Sequence, residues 1–276
     1  MHSGPIGIFD SGLGGLSVWR EVQRLLPDES LIYLGDSGRC PYGPRPHGEI
    51  LRFSQELSHW LVGQGCKLLV VACNTITGAA IDALRARYPL PFVGMEPALK
   101  PAAQQTHSGV IGVLATQGTF AGRHFQRALA HYGSQVEVQV QVGTGLVELV
   151  EQGQLDTPAA RALLGDYLLP MLARGADQVV LGCTHYPFLR PLIEEILDGR
   201  AAIIDPAPAV ARQVQRLLHT LDLEAPADQV PMYDFCTTGS VGDLQEFVAA
   251  IAPSFLANQV QFRGIDTRQL SLPAAG

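Results

Sequence analysis

The sequence predicts an α/β fold of two related lobes, each a mostly parallel sheet flanked by helices. Three observations carry that expectation. Short apolar runs alternate with longer stretches of helical spacing, the runs are apolar on both faces, and the whole pattern restarts near residue 109. Strands buried on both faces and separated by helices are the mark of a parallel sheet sandwiched between helical layers.

Along the chain, Ile6–Phe9 reads as a strand, and Val18, Val22, Leu25 and Leu26 then recur at helical spacing. Leu31–Leu34 is a second strand and Leu51–Leu61 a helix. Lys67–Ala72 is a third strand, followed by a helix over Ile76–Tyr88. The second cycle has strands at Gly109–Leu114, Val136–Val142, Gln178–Leu181 and Ala202–Ile204, with helices at Phe120–Leu129 and Ala159–Ala173. Helices at Ala207–Leu218 and Asp243–Ile251 and strands at Met232–Cys236 and Gln259–Phe262 complete the chain. Segment pairs repeat between the cycles: Ile6-Gly7-Ile8-Phe9-Asp10-Ser11 resembles Ile111-Gly112-Val113-Leu114-Ala115-Thr116. Likewise Leu69-Val70-Val71-Ala72-Cys73-Asn74 resembles Val179-Val180-Leu181-Gly182-Cys183-Thr184. Two lobes with a cysteine at the same place in each are the economical reading.

Composition narrows the function. Hydrophobic residues are 47% of the 276 and charged residues 16%, enough for a well-buried core. The net charge of −7 argues against a nucleic-acid surface. No apolar run is long enough to span a bilayer and no signal peptide is recognisable, so the expected location is cytoplasmic, with no membrane partner. Five irregularly spaced cysteines suit reduced thiols better than a disulfide framework.

Ligands of open α/β sheets bind beyond the carboxyl ends of the strands, where Asp10, Ser11, Cys73, Asn74, Thr75, Thr116, Cys183, Thr184 and His185 all fall. Facing lobes would put one thiol on each wall of a cleft. That layout suits a reaction that removes a proton from one face of a carbon and returns one to the other. A lone cysteine at a strand end is usually core, and Cys40, Cys66 and Cys236 are expected to be so. The repeated placement and polar followers of Cys73 and Cys183 point instead to chemistry. Asp10 would cap the following helix or assist Cys73, and His185 would pair with Cys183. The glycines of Asp10-Ser11-Gly12-Leu13-Gly14-Gly15 could expose N–H groups to a substrate carboxylate. Cys183-x-His185 with a distant Cys73 is not a zinc spacing, so no metal is expected.

These residues resemble the glutamate racemase family. The matching motifs are Phe9-Asp10-Ser11-Gly12-Leu13-Gly14-Gly15, Gly35-Asp36-Ser37 with Arg39-Cys40-Pro41-Tyr42-Gly43, Ala72-Cys73-Asn74-Thr75 and Gly182-Cys183-Thr184-His185-Tyr186-Pro187. Weaker matches are Asp205-Pro206-Ala207 and Thr237-Thr238-Gly239. The resemblance implies cofactor-independent interconversion of L- and D-glutamate, supplying D-glutamate for peptidoglycan, in an enzyme that can form a homodimer. It implies a first lobe of residues 1–96 plus 207–276 and a second of 97–206. Cys73 would take the α-proton of D-glutamate and Cys183 that of L-glutamate, assisted by Asp10 and His185. Asp10, Ser11, Pro41, Tyr42, Gly43, Asn74, Thr75, Thr116, Thr184 and His185 would hold the substrate. Family members often carry a Cys-Pro pair and a second Pro before a Val-Glu-x-Gly segment. Here Gly143–Gly153 departs from that pattern, and Glu151, aligned with the family's acidic residue near the histidine, could equally be a solvated helix glutamate.

The rivals are a pyridoxal-phosphate racemase, an aspartate or other amino-acid racemase of the same superfamily, and a non-catalytic amino-acid-binding protein. The first needs a lysine for its Schiff base, and neither Lys67 nor Lys100 ends a strand. The short segment before Asp10 lacks the extension of family members activated by a cell-wall precursor. Activity is therefore expected to be insensitive to that precursor, which assays with and without it check directly.

Overall fold

The computed structural model describes residues 4–226, 229–252 and 260–272. Ten strands occur among the described residues: β1 (Ile6–Asp10), β2 (Leu31–Gly35), β3 (Leu68–Val71), β4 (Phe92–Gly94), β5 (Val110–Ala115), β6 (Glu137–Val142), β7 (Gln178–Gly182), β8 (Ala202–Ile204), β9 (Tyr233–Thr237) and β10 (Val260–Gly264). They form two sheets, ordered β10-β9-β2-β1-β3-β4 and β6-β5-β7-β8, and every pairing is parallel. Within the first sheet the run β2-β1-β3-β4 has the same order as the whole of the second. The lobes are therefore topologically equivalent, with the cysteine strands β3 and β7 in matching places.

Burial explains why the strands read as continuous apolar runs. Ile6 and Ile8 of β1, with Leu68 and Val70 of β3, enter a core that extends into the second lobe to Leu181 and Tyr186. Phe9, Leu69 and Val71, the alternate residues, enter a separate core on the other face. The second sheet repeats the arrangement with Ile111 and Val113 against a third core. A parallel strand covered by helices on both sides has no polar face to show.

The helices begin where the sequence supplies acceptors for unsatisfied N–H groups. Thr157 accepts from Ala160 N at the start of Pro158–Ala173, and Ser240 from Asp243 N at the start of Val241–Ile251. Such caps are each worth about 1 kcal/mol.

The elements not foreseen include β4, at three residues, the short helices Leu99–Gln105 and Arg190–Leu197, and the single turns Ser37–Arg39, Tyr186–Leu189 and Thr267–Leu270. Each is too brief to impose a period on the sequence. The helix expected over Phe120–Leu129 is instead two, Gln117–Ala121 and Arg123–Tyr132, broken at an extended Gly122. A Cβ on Gly122 would lie 3.0 Å from Cα of Gly78, so backbone meets backbone where the helix Asn74–Arg87 crosses this segment. Of the last expected strand, Gln259 lies outside the described residues, and pairing continues to Gly264.

The carboxyl-terminal strands are fastened by an aromatic cluster. The Phe235 ring lies 4.8 Å from Trp19, 5.3 Å from Phe262 and 6.5 Å from Tyr33. Phe235 has no exposed surface, so Phe235→Ala leaves a cavity that its neighbours on two strands and one helix cannot fill. The expected loss is about 3–5 kcal/mol, measured by urea unfolding. A loss under 1 kcal/mol would show that β9 is not fixed by this cluster.

Candidate active site

The site is assembled from the carboxyl ends of β1, β3, β5 and β7 and the turns that follow. A cleft of about 280 Å³ there is lined from the first lobe by Ser11, Pro41, Tyr42, Gly43, Cys73, Asn74 and Thr75. The second lobe contributes Thr116, Cys183, Thr184 and His185. Thr119 and Val147, which sequence reasoning did not single out, line it as well. Cys73 and Cys183 thus reach one cavity from two sheets. Asp10 and Glu151 are not on the lining. Each stands behind it, Asp10 beside Cys73 and Glu151 behind His185.

Cys73 occupies the cap position of the helix Asn74–Arg87. Burial pushes its thiol well above the ordinary cysteine range, and the neighbouring Asp10 charge adds to the effect; the Ile76 N–H and Ser11 hydroxyl oppose it. Ser11 Oγ lies 3.7 Å from Cys73 Sγ and 3.4 Å from Asp10 Oδ1. Asp10 is fully buried, and that burial raises its carboxyl above the usual range although His185 pulls it down. Its Oδ2 accepts from Gly15 N at 2.6 Å and from Thr184 Oγ1 at 3.4 Å. A buried carboxylate persists only with such donors.

On the other wall, His185 Nδ1 is 3.6 Å from Cys183 Sγ, and Nε2 is 2.6 Å from Glu151 Oε1. Burial alone would push the imidazole down. Its hydrogen bonds to Cys183, Cys40 and Glu151 outweigh that and hold it well above the ordinary histidine value, which favours the protonated ring. Glu151 is therefore not a solvated helix residue. The same Oε1 also accepts Leu13 N at 2.6 Å, from the other lobe.

Part of the glycine run is engaged within the protein. Its Leu13 and Gly15 N–H groups are engaged by Glu151 and Asp10. A Cβ on Gly12 would sit 2.2 Å from Glu151 Oε1, and one on Gly14 2.3 Å from His185 Nδ1. A larger residue at either position would push the acid or the imidazole out of place. Cys40, expected in the core, is half-buried and belongs to this neighbourhood, whereas Cys66 and Cys236 are buried away from it.

The motif fragments meet one another. Asp36, fully buried, accepts from Thr238 Oγ1 and Arg39 Nε, both at 2.7 Å, and from the Tyr42 hydroxyl. This fixes the 41–43 turn at the cleft. Thr75 Oγ1 and Thr116 Oγ1 are 2.9 Å apart across the lobes, and Thr116 meets Thr119 at 2.9 Å. Asp205 accepts from Ala207 N at 2.9 Å, opening the helix Ala207–Thr220 away from the cleft lining.

Parallel α/β lobes closing on a cavity with a thiol from each side define a racemase-type enzyme. More narrowly, the chain belongs to the Asp/Glu/Hydantoin racemase family, whose sequence profile matches residues 6–214. It is 49% identical over 239 residues to a glutamate racemase of Herpetosiphon aurantiacus, covering 87% of this chain and 94% of that one. Among solved structures, it resembles a glutamate racemase isoform of Bacillus anthracis at 34% identity and a TM-score of 0.85, covering 96% of this chain and 98% of that one. A Francisella tularensis glutamate racemase in complex with D-glutamate has 26% identity and a TM-score of 0.82, covering 97% and 99%. No helix among the described residues is long and apolar enough to cross a membrane.

Two outcomes are expected from this geometry. A raised histidine pKa stabilises the fold fully below about 6.5, the ordinary value, and that contribution is lost as pH rises through the native value. In Glu151→Gln the His185 ring should therefore titrate at lower pH than in the wild type, followed by NMR; an unchanged midpoint would remove Glu151 as the group holding the charge. Separately, Gly14→Ala should displace the imidazole and lower racemase turnover on the order of a hundredfold without unfolding the protein. Wild-type turnover in that variant would mean that the close approach has no catalytic bearing.

Proposed function

We propose that the chain interconverts L- and D-glutamate by a two-base mechanism in which Cys73 and Cys183 alternate as base and acid. The observation that carries this reading is one thiol on each wall of a single cleft, each with a different proton partner behind it. From D-glutamate, the Cys73 thiolate takes the α-proton as the Cα–H bond breaks. The electron pair left on carbon then takes the proton of the Cys183 thiol from the opposite face, giving L-glutamate. The reverse direction exchanges the roles.

The partners fit those tasks. Asp10, whose own proton affinity burial has raised, can receive the proton that Cys73 must lose before it acts. His185, whose proton affinity its hydrogen bonds raise, can hold and exchange a proton with Cys183, and Glu151 orients the ring through Nε2. Asn74, Thr75, Thr116, Thr184, Ser11 and the Pro41-Tyr42-Gly43 turn supply the hydroxyl, amide and backbone groups for the two carboxylates and the ammonium. The Francisella neighbour's complex with D-glutamate supports this substrate. We assign residues 1–96 with 207–276 to one lobe and 97–206 to the other, and D-glutamate for peptidoglycan as the product used. Further expectations are a cytoplasmic location and a homodimer.

The test is racemisation of each enantiomer in heavy water by wild type, Cys73→Ser and Cys183→Ser, with aspartate assayed alongside. Each serine variant should lose at least about a hundredfold in turnover, with solvent deuterium entry impaired differently for the two enantiomers. Wild-type racemisation by either variant would end the two-base scheme, and faster turnover of aspartate would change the substrate.

A further inference from the structure

The proton-exchange scheme leaves one thiol beside the cleft without a task. Cys40 follows the turn Ser37–Arg39 in the first lobe and is half-buried. Its Sγ, a carboxylate oxygen of Glu151 and an imidazole nitrogen of His185 all lie within 4.8 Å of one another. Among the described residues no other trio of histidine, cysteine and acidic side chains is so disposed.

We propose that Cys40, Glu151 and His185 form a binding site for a thiophilic divalent cation, Zn²⁺ foremost, whose occupancy inhibits racemisation. The donor set is a thiolate, an imidazole and a carboxylate, the ligand types that zinc takes, with water completing a tetrahedron. Zinc bonds of roughly 2.0–2.3 Å put neighbouring donors about 3.3–3.7 Å apart. The Glu151–His185 pair, now at 2.6 Å, would open by about an ångström, and the widest separation would close by about the same. On binding, the Cys40 thiol gives its proton to water, as does His185 Nε2 where the ring is protonated, and the lone pairs so freed go to the metal. Thiolate and carboxylate together balance the two positive charges. The Leu13 N–H bond to Glu151 already orients one ligand, the outer support that metal sites use.

Two consequences follow from where the ligands come from. Bound at Nε2, the nitrogen that faces Glu151, the metal would leave Nδ1–H towards Cys183 but take the place of the ring's other proton and pin the imidazole, so that it no longer adjusts to that sulfur's protonation. It would also tie Cys40 of one lobe to Glu151 and His185 of the other, fixing the lobes against each other. The ligands lie in three separated segments, so no short motif announces the site.

The racemising thiols are themselves potential metal ligands, so the experiment must separate the two. Metal-freed protein carrying Cys73→Ser and Cys183→Ser is titrated with Zn²⁺ against a chromophoric chelator. It is also titrated with Cd²⁺, followed by the ultraviolet thiolate-to-cadmium band. Binding with the band of a single thiolate is expected. Adding Cys40→Ser, which keeps the shape and loses the thiolate, should abolish the band and weaken zinc affinity at least about tenfold. In otherwise wild-type enzyme, Zn²⁺ should suppress turnover of both enantiomers, and Cys40→Ser should raise the half-inhibiting concentration by a similar factor. Loss of zinc binding in the double-serine protein would place the metal on the racemising thiols instead. Affinity unchanged by Cys40→Ser would likewise overturn the proposal. Zinc affinity in the double-serine protein is read without turnover, so it stands or falls separately from the racemase reading.

Discussion

One oxygen atom, Oε1 of Glu151, holds both the loop that follows β1 and the imidazole that follows β7. Much of the site's geometry depends on that bridge. It brings the glycine run against His185, and the run in turn delivers Gly15 N to Asp10. Asp10 makes a second bridge of the same kind, accepting from its own lobe and from Thr184 of the other. Two acids, Asp10 fully buried and Glu151 half-buried, thus join the lobes on either side of the cleft. Because hydrogen bonds to charged groups are shorter and stronger than neutral ones, the walls are fixed where the reacting carbon must sit.

The equivalence of the lobes stops at the sheet. Order and parallel sense repeat from β2-β1-β3-β4 to β6-β5-β7-β8, and each cysteine ends the corresponding strand. The groups behind the sulfurs do not repeat: the carboxyl of Asp10 stands beside Cys73 and the imidazole of His185 beside Cys183. A symmetric scaffold therefore carries an asymmetric pair of proton partners. Such asymmetry suits a site where the two thiols never need the same protonation state at once.

What the sequence discloses here is what local pattern and repetition encode. The strands were legible because both of their faces are buried, and Cys73 and Cys183 because each follows the same strand in its lobe. Most of the residues at the strand ends, from Ser11 to His185, do line the cleft. Glu151 could not be separated from an exposed helix glutamate, since its partners Leu13 and His185 lie 138 and 34 residues away. Cys40 was misjudged for the same reason. The packing of the glycine run against Glu151 and His185 was not legible, because sequence shows that a side chain is absent without showing what fills the space. The break at Gly122 was invisible because its cause is another glycine, Gly78, on a different helix.

That glycine pair has a further meaning. Every other amino acid would add at least a Cβ, and at Gly122 it would lie 3.0 Å from the opposing Cα. The spacing of the lobes at this point is therefore a gauge set by main-chain atoms alone. Side-chain contacts can be lengthened or shortened by a methylene; this one has no adjustable part. A cavity that must close on a single amino acid from two sides needs its walls kept to a constant width, and a stop made of bare backbone supplies a reference length that substitutions elsewhere in the chain leave untouched.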